Sequence, residues 1–260
     1  MSSGGAPTRL VSRQPLIYVY VAAAIVVLWW AVAASGAVQA VLLPQPTAAF
    51  TAFGTILSHQ SALANTVGAT ARSVLVAFLI AAPVGVLIGV VVGSRPVLSR
   101  ALEPLLANLN AVPIVLLYPL LLGAFGSGAM PKIIVGALVA TLPIAIATHW
   151  AERGLDQDLV TAAHSMGAGE TAVVRSVVLP AITPGVFAGL RTGLGLAIVT
   201  VVAGKFLSSS VGLGYQLAQT REAFQAPELF AWLIVTIVFT AVAIGIMNVA
   251  HALLNRRINR

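Results

Sequence analysis

The chain has 260 residues, of which 59% are hydrophobic and 8% are charged, and its mean hydropathy is +0.99. This composition excludes a soluble globular protein and is typical of a chain embedded mostly in a lipid bilayer. The net charge of +7 does not indicate a nucleic-acid site, because the basic residues lie at the ends of apolar runs. The absence of cysteine excludes disulfides and thiolate catalysis.

Apolar runs in chain order predict about six membrane-spanning helices, since one helix needs about 20 apolar residues to cross a bilayer. We place them at about 16–34, 66–93, 105–123, 133–150, 181–207 and 229–254. The first run is longer than the apolar core of a signal peptide, which has about 7 to 15 residues, so we expect a span and no cleavage. The predicted fold class is therefore all-α, in a polytopic membrane protein.

Glycines recur every four residues in the second and fifth runs and predict close packing of these helices against neighbours. They are Gly85, Gly89 and Gly93 in the second run, and Gly185, Gly189 and Gly193 in the fifth.

Basic residues orient the predicted spans, because cytoplasmic loops carry an excess of lysine and arginine. With both termini in the cytoplasm, the outer segments hold Lys132, Lys205 and Arg221. Arg72 and Arg191 are expected near the ends of the second and fifth spans. The inner segments hold the larger set: Arg9, Arg13, Arg95, Arg100, Arg153, Arg175, Arg256, Arg257 and Arg260.

The segment 155–180 is polar, and the charge pattern predicts that it lies in the cytoplasm. Asp156 and Asp158 favour a helix start, and apolar residues follow at helical spacing. Gly167 then predicts a break, and a second amphipathic piece follows until Pro180 ends it. Such an element either lies passively on the membrane surface or docks onto a partner.

The spacing in this segment resembles the EAA loop of bacterial ABC-importer permeases. Thr161, Ala162 and Ala163 stand at the Glu-Ala-Ala positions, and they are followed by Gly167, Val177, Leu179 and Pro180 at the family's spacing. The likeness extends to LLPQP at 42–46, to 110–128 and to GLGY at 212–215, and is greatest to the sulfonate, nitrate and taurine branch. Thr161 replaces the motif glutamate, and Lys205 stands where this branch often has an acidic residue.

The resemblance implies an ABC importer type I permease fold over 16–255, between a cytoplasmic tail at 1–15 and a basic cytoplasmic tail at 256–260. It implies a multi-pass protein of the bacterial cytoplasmic (inner) membrane that imports a small solute such as a sulfonate, taurine, nitrate or a related organic molecule. The loop would couple the spans to a separate ATPase through Asp158, Thr161, Ala162, Ala163, Gly167, Leu179 and Pro180.

The implied assembly has two ATP-binding subunits, a second copy of this chain and an extracytoplasmic substrate-binding protein. No G-x-x-x-x-G-K-[ST] phosphate-binding loop occurs in the chain, so ATP and Mg²⁺ are expected on the partner, and the chain is expected to be neither an enzyme nor a cofactor-binding protein. A single set of six predicted spans favours a homodimer, because a two-fold pathway needs a second permease.

Polar residues within predicted spans are candidates for the translocation path, because burying them in lipid is costly. Hydrogen bonds between helices explain them as well. Lys205 either draws an anion towards the path or extends its ammonium group to the outer surface. The candidates are Asn108, Asn110, Tyr118, Thr141, Thr200 and Lys205.

Two other classes of protein remain open. A secondary transporter or a channel without an ATPase would also show six spans, although no acidic or histidine ion-binding site is evident within them. A membrane-embedded enzyme would need a cluster of catalytic groups, and none is recognised. The four histidines lie on different segments, so no metal site is expected.

Overall fold

The computed structural model describes residues 14–258, and every regular element within this range is a helix, which confirms the predicted all-α class. The predicted tail residues Arg9, Arg13 and Arg260 lie outside the described residues. The helices are α1 (Gln14–Ala34), α2 (Pro46–Ser58), α3 (Gln60–Gly93), α4 (Pro96–Ala111), α5 (Tyr118–Phe125), α6 (Ala129–Arg153), α7 (Gln157–Ser165), α8 (Glu170–Val173), α9 (Leu179–Leu207), α10 (Leu213–Glu222) and α11 (Ala226–Ile258).

Four helical stretches in the described part of the chain are long and apolar enough to cross a membrane, namely Gln60–Gly93, Ala129–Arg153, Glu170–Leu207 and Ala226–Arg256. Two shorter apolar helices lie at Tyr20–Ala34, within the first predicted span, and at Ile114–Phe125, which overlaps the second half of the third. The six predicted apolar runs therefore correspond to four long helices and two shorter ones.

The third predicted span, 105–123, is wrong as one continuous helix. Helix α4 ends at Ala111, and Val112 adopts an extended backbone with ψ of 125° before Pro113. A 3₁₀ turn at Ile114–Leu117 then leads into α5. Proline disfavours the helical conformation of the residue before it, so Pro113 explains why the apolar run breaks here.

The expected helix end at Pro180 is also wrong. A π-helical turn at Val174–Val178 joins α8 to α9, so helical structure runs from Glu170 to Leu207. The N–H of Leu179 bonds to the carbonyl of Val174, five residues back, whereas an α-helix uses the fourth. Proline has no N–H and crowds the preceding turn of an α-helix, and the wider π turn accommodates it.

Helix α6 packs against both α3 and α9, and both glycine spines face it. A Cβ on Gly89 would lie 2.6 Å from the carbonyl oxygen of Ala145, and one on Gly189 would lie 2.8 Å from the Cβ of Ala147. The predicted close packing is confirmed. The core between the three helices is formed by Val74, Ala77, Ala81, Ala137, Ala140, Ile144, Leu194, Ala197, Ile198 and Val201.

The chain divides into two compact units. The first contains the described part of 1–60 together with 219–235, and the second contains 61–218 together with the described part of 236–260. In the first unit, Trp29 stacks on Phe230 with ring centroids 5.2 Å apart, and its Nε1 donates to the carbonyl of Pro44 at 3.0 Å. The second unit contains α6, α9 and the whole of the segment 155–180.

Candidate coupling loop and translocation path

Two acidic residues fix the start of α7. Asp156 is the N-cap, and its carboxylate accepts a hydrogen bond from the backbone N–H of Asp158 at 2.9 Å. Asp158 lies in the first turn, where a negative charge is favoured by the helix dipole. The predicted helix start at these residues is confirmed.

Gly167 ends α7 with a Schellman motif. Its φ of +83° is left-handed, a conformation that glycine adopts without steric cost. The N–H of Gly167 donates to His164, and the N–H of Ala168 donates to Ala163, the two bonds that define this motif. Beyond the turn, His164 Nε2 lies 3.9 Å from Glu170 Oε1.

The predicted coupling residues lie at or near the surface of the chain. Large apolar side chains beside them are also exposed, with Leu159 52% exposed and Met166 87% exposed. The hydroxyl of Thr161, at the position of the family's glutamate, donates to the carbonyl of Gln157 at 2.9 Å, within its own helix. Asp158, Thr161, Ala162, Gly167 and Leu179 are exposed, and Ala163 and Pro180 are half-buried.

The end of α6, from which α7 follows, is tied to the start of α4 and to the turn between α3 and α4. Arg153 Nη1 donates to the hydroxyl of the fully buried Ser99 at 2.7 Å. Ser94 donates to Glu152 Oε1 at 3.4 Å, and Glu152 also covers Gly93, the last residue of α3. The loop is therefore joined to three helices at its first end.

Tyr118 and Lys205, both candidate path residues, lie close together near the last turn of α9. The hydroxyl of the buried Tyr118 donates to the carbonyl of Gly204 at 2.7 Å. Lys205 is only 4% exposed, and its Nζ lies 3.4 Å from the carbonyl of Val211. The ammonium group of Lys205 therefore lies against the α9–α10 turn, and both expectations for this residue, attraction of an anion and extension to the outer surface, stay predictions.

Lys132 is a second buried lysine beside this group, whereas the sequence predicted only a charge in an outer segment. It is 1% exposed, and its Nζ donates to the carbonyls of Ser127 and Gly128. Its aliphatic stem packs against Gly204, where a Cβ would lie 3.0 Å from the Cγ of Lys132. Gly128 and Gly204 were the only indication in the sequence that the Lys132 side chain could be accommodated here, because glycine has no side chain to occupy the space.

The other path candidates are dispersed. Thr200 is buried on α9, and the hydroxyl of Thr141 donates to Ala137 of its own helix at 2.7 Å. Asn108 is exposed on α4. Asn110 also belongs to α4, but its side chain lies outside the described part of the chain. Within residues 14–258, no group of three metal-ligating side chains could hold a metal ion.

Comparison with known proteins adds to this geometry. The family described as "Binding-protein-dependent transport system inner membrane component" matches residues 81–260. A riboflavin transport system permease of Chloroflexus aurantiacus is 39% identical over 133 residues, about half of each chain. A putative aliphatic sulfonates transport permease of Bacillus subtilis is 30% identical over 82% of this chain and 77% of its own.

A taurine transport system permease of Escherichia coli is 28% identical over 81% of this chain and 78% of its own. Among solved structures, an inward-facing MetNI methionine ABC transporter matches with a TM-score of 0.57 and 21% identity, over 79% of this chain and 97% of that chain. This structural likeness confirms the predicted ABC importer permease fold.

Permeases of this family reside in the inner membrane, are not themselves enzymes, and work with an ATP-binding subunit and a substrate-binding protein. The match covers most of the chain, including α6, the segment 155–180 and α9. The chain therefore belongs to the family of inner-membrane permease components of binding-protein-dependent ABC transporters.

Proposed function

We propose that the chain is the permease subunit of an ATP-driven importer for a small solute, and that the segment 155–180 transmits the motion of the ATPase. The observation that carries this proposal is the exposed apolar surface of α7. Leu159 of α7 and Met166, its C-cap residue, are seven residues apart, so they lie on one side of this helical segment, and both are exposed. Amphipathic helices typically present such a face to a groove of another protein.

The way this loop is joined to the spans supports a mechanical role. One end continues from α6, and the other end continues without interruption into α9. These two helices are packed closely along Gly185, Gly189 and Gly193. A force on α7 would therefore move α6 and α9 together, opening the path alternately to each side of the membrane.

The proposed assembly contains two copies of the ATP-binding subunit, which bind ATP and Mg²⁺, and a second copy of this chain. An extracytoplasmic binding protein delivers the solute, and both termini of the permease face the cytoplasm. The homodimer follows from the single set of spans, because one copy offers only one half of a two-fold path.

The cargo we propose is a small solute of the kind named for the relatives: a sulfonate, taurine, nitrate or a related organic molecule. The path would be lined by Asn108, Asn110, Tyr118, Thr141, Thr200 and Lys205. Tyr118 and Lys205 support this proposal best, because the Tyr118 hydroxyl bonds to Gly204 and the ammonium group of the neighbouring Lys205 lies at the same end of α9.

The docking role of α7 is tested by affinity purification of the tagged chain from native membranes, with quantification of any co-purifying ATPase. We expect an ATPase in equal amount with the natural sequence, and its loss in Met166→Glu, because a buried charge opposes docking of an apolar face. Ser165→Glu is the matched control, since it adds the same charge to α7 away from that face.

Retention of the ATPase by Met166→Glu would contradict docking through this face. Absence of any ATPase from an intact, folded preparation would contradict the importer itself and favour a secondary transporter or channel.

A further inference from the structure

Arg191 lies well inside helix α9, within the stretch Glu170–Leu207 that is long and apolar enough to cross a membrane. Helix α9 runs from Leu179 to Leu207, which places Arg191 about 18 Å from its first residue at 1.5 Å per residue. The side chain is exposed on the surface of the chain. An arginine on a helix of this kind is costly where lipid surrounds it, so it indicates a cavity, a pathway or a specific ligand.

A cavity of about 70 Å³ lies between α9 and α11 at this position. One wall is apolar and includes Phe187, Ala188 and Met247. The polar part of the wall is formed by Arg191, Asn248 and His251. The guanidinium group of Arg191 and the amide of Asn248 donate hydrogen bonds through their N–H groups. The imidazole of His251 donates through whichever ring nitrogen carries a proton.

The orientation of His251 is fixed by two neighbours. Its ring stacks on Phe187 with centroids 4.5 Å apart and an angle of 14° between the planes. Asn255 Nδ2 lies 3.3 Å from His251 Nε2. These two contacts hold the imidazole at the rim of the cavity, where it can take part in a hydrogen bond to a ligand.

No carboxylate from the walls of the cavity neutralises Arg191. Helix α9 contains no aspartate or glutamate, and neither does 236–258 of α11. Among the described residues, Arg191 makes neither a hydrogen bond nor an ion pair with another side chain. The cavity therefore combines an unneutralised guanidinium group with two further polar side chains.

We propose that this cavity binds an oxoanion, meaning a phosphate, sulfonate or carboxylate group, with Arg191 as its main partner. A guanidinium group matches the paired oxygens of such groups geometrically as well as electrostatically. The anion is either the phosphate of a lipid headgroup or a small soluble solute, because both present the same oxygens. Binding here needs neither the ATPase nor the binding protein, so this inference is independent of the coupling proposed for α7.

The test uses the full-length protein in nanodiscs of zwitterionic phosphatidylcholine, titrated with inorganic phosphate and with methanesulfonate in a calorimeter. A parallel sample is purified with phosphatidylglycerol, and retained lipid is measured by native mass spectrometry. Arg191→Gln is compared with Arg72→Gln, which removes an exposed arginine of α3 that does not line the cavity.

We expect Arg191→Gln to weaken anion binding at least about tenfold, and Arg72→Gln to leave it unchanged, because only Arg191 provides the charge-assisted bond. Binding of phosphate or methanesulfonate identifies a soluble anion, and retention of phosphatidylglycerol alone identifies a lipid. If Arg191→Gln does not fold, Asn248→Leu provides a second test. This variant keeps the charge of Arg191 but removes a polar side chain from the cavity, so we expect it to weaken anion binding. The proposal is overturned if the natural protein binds none of these anions, or if Arg191→Gln or Asn248→Leu folds and binds as well as Arg72→Gln.

Discussion

Gly167 controls the angle between α7 and α8 through its backbone alone. Its φ is +83°, and a Cβ there would meet no atom within 4 Å. A β-branched residue disfavours this conformation, at a cost of roughly 1–2 kcal/mol, so Gly167→Val should unwind the end of α7 without a steric clash. We expect the variant to insert into the membrane in normal amount but to lose uptake or association with the ATPase.

Gly167→Asn is the control for this prediction, because asparagine tolerates the left-handed conformation better than other residues with a side chain. Uptake and ATPase association of both variants are compared at equal amounts of inserted protein. Normal uptake by Gly167→Val would show that the shape of this turn is not needed for coupling.

Single polar residues were the hardest part of the site to predict. The roles of Asp156 and Asp158 at the start of α7, and of Gly167 at its end, could be predicted because helix caps and glycine turns depend on local sequence. The burial of Lys132 and Lys205 was not, since it depends on carbonyl groups supplied by neighbouring turns after folding. The sequence indicated a charge at each position but not the partner that would hold it.

The helix pairs α3–α6 and α6–α9 depend on the absence of side chains at the glycine spines. We predict that Gly89→Leu or Gly189→Leu forces the backbones apart and lowers stability by about 1–3 kcal/mol or more, because overpacked cores do not relax freely. The measurements are the yield of folded protein in detergent and its thermal unfolding temperature.

Each of these helices also contains a glycine that can serve as a matched control. A Cβ on Gly68 of α3 or on Gly195 of α9 would meet no atom within 4 Å. Gly68→Leu and Gly195→Leu should therefore leave yield and unfolding temperature nearly unchanged. Equal losses in all four variants would contradict the role of the spines in helix packing, because leucine favours a helix more than glycine does and only the spine positions are closely packed.

At the same scale, apolar runs were a reliable guide to the existence of helices but a poor guide to their continuity. The break in the helix before Pro113 could have been predicted from the sequence, because proline disfavours a helical conformation of the preceding residue. The helical passage through Pro180 was not, since it requires a π turn that no local pattern indicates. Such a turn depends on the packing of the helix on both sides of it.

Across the whole molecule, the direction in which the chain crosses the membrane determines what α7 can touch. Arginines cluster in segments such as the α3–α4 turn and the end of α11, which predicts that these face the cytoplasm. The α9–α10 turn would then face outwards. The absence of natural cysteine allows each side to be labelled through a single introduced thiol.

We predict that Ser165→Cys, at the end of α7, is labelled by a membrane-impermeant maleimide only in inside-out vesicles. Ser210→Cys, in the α9–α10 turn, should be labelled in intact cells or spheroplasts, and both serines are exposed on the chain. If the labelling is reversed, α7 faces away from any cytoplasmic ATPase, and coupling through it is impossible.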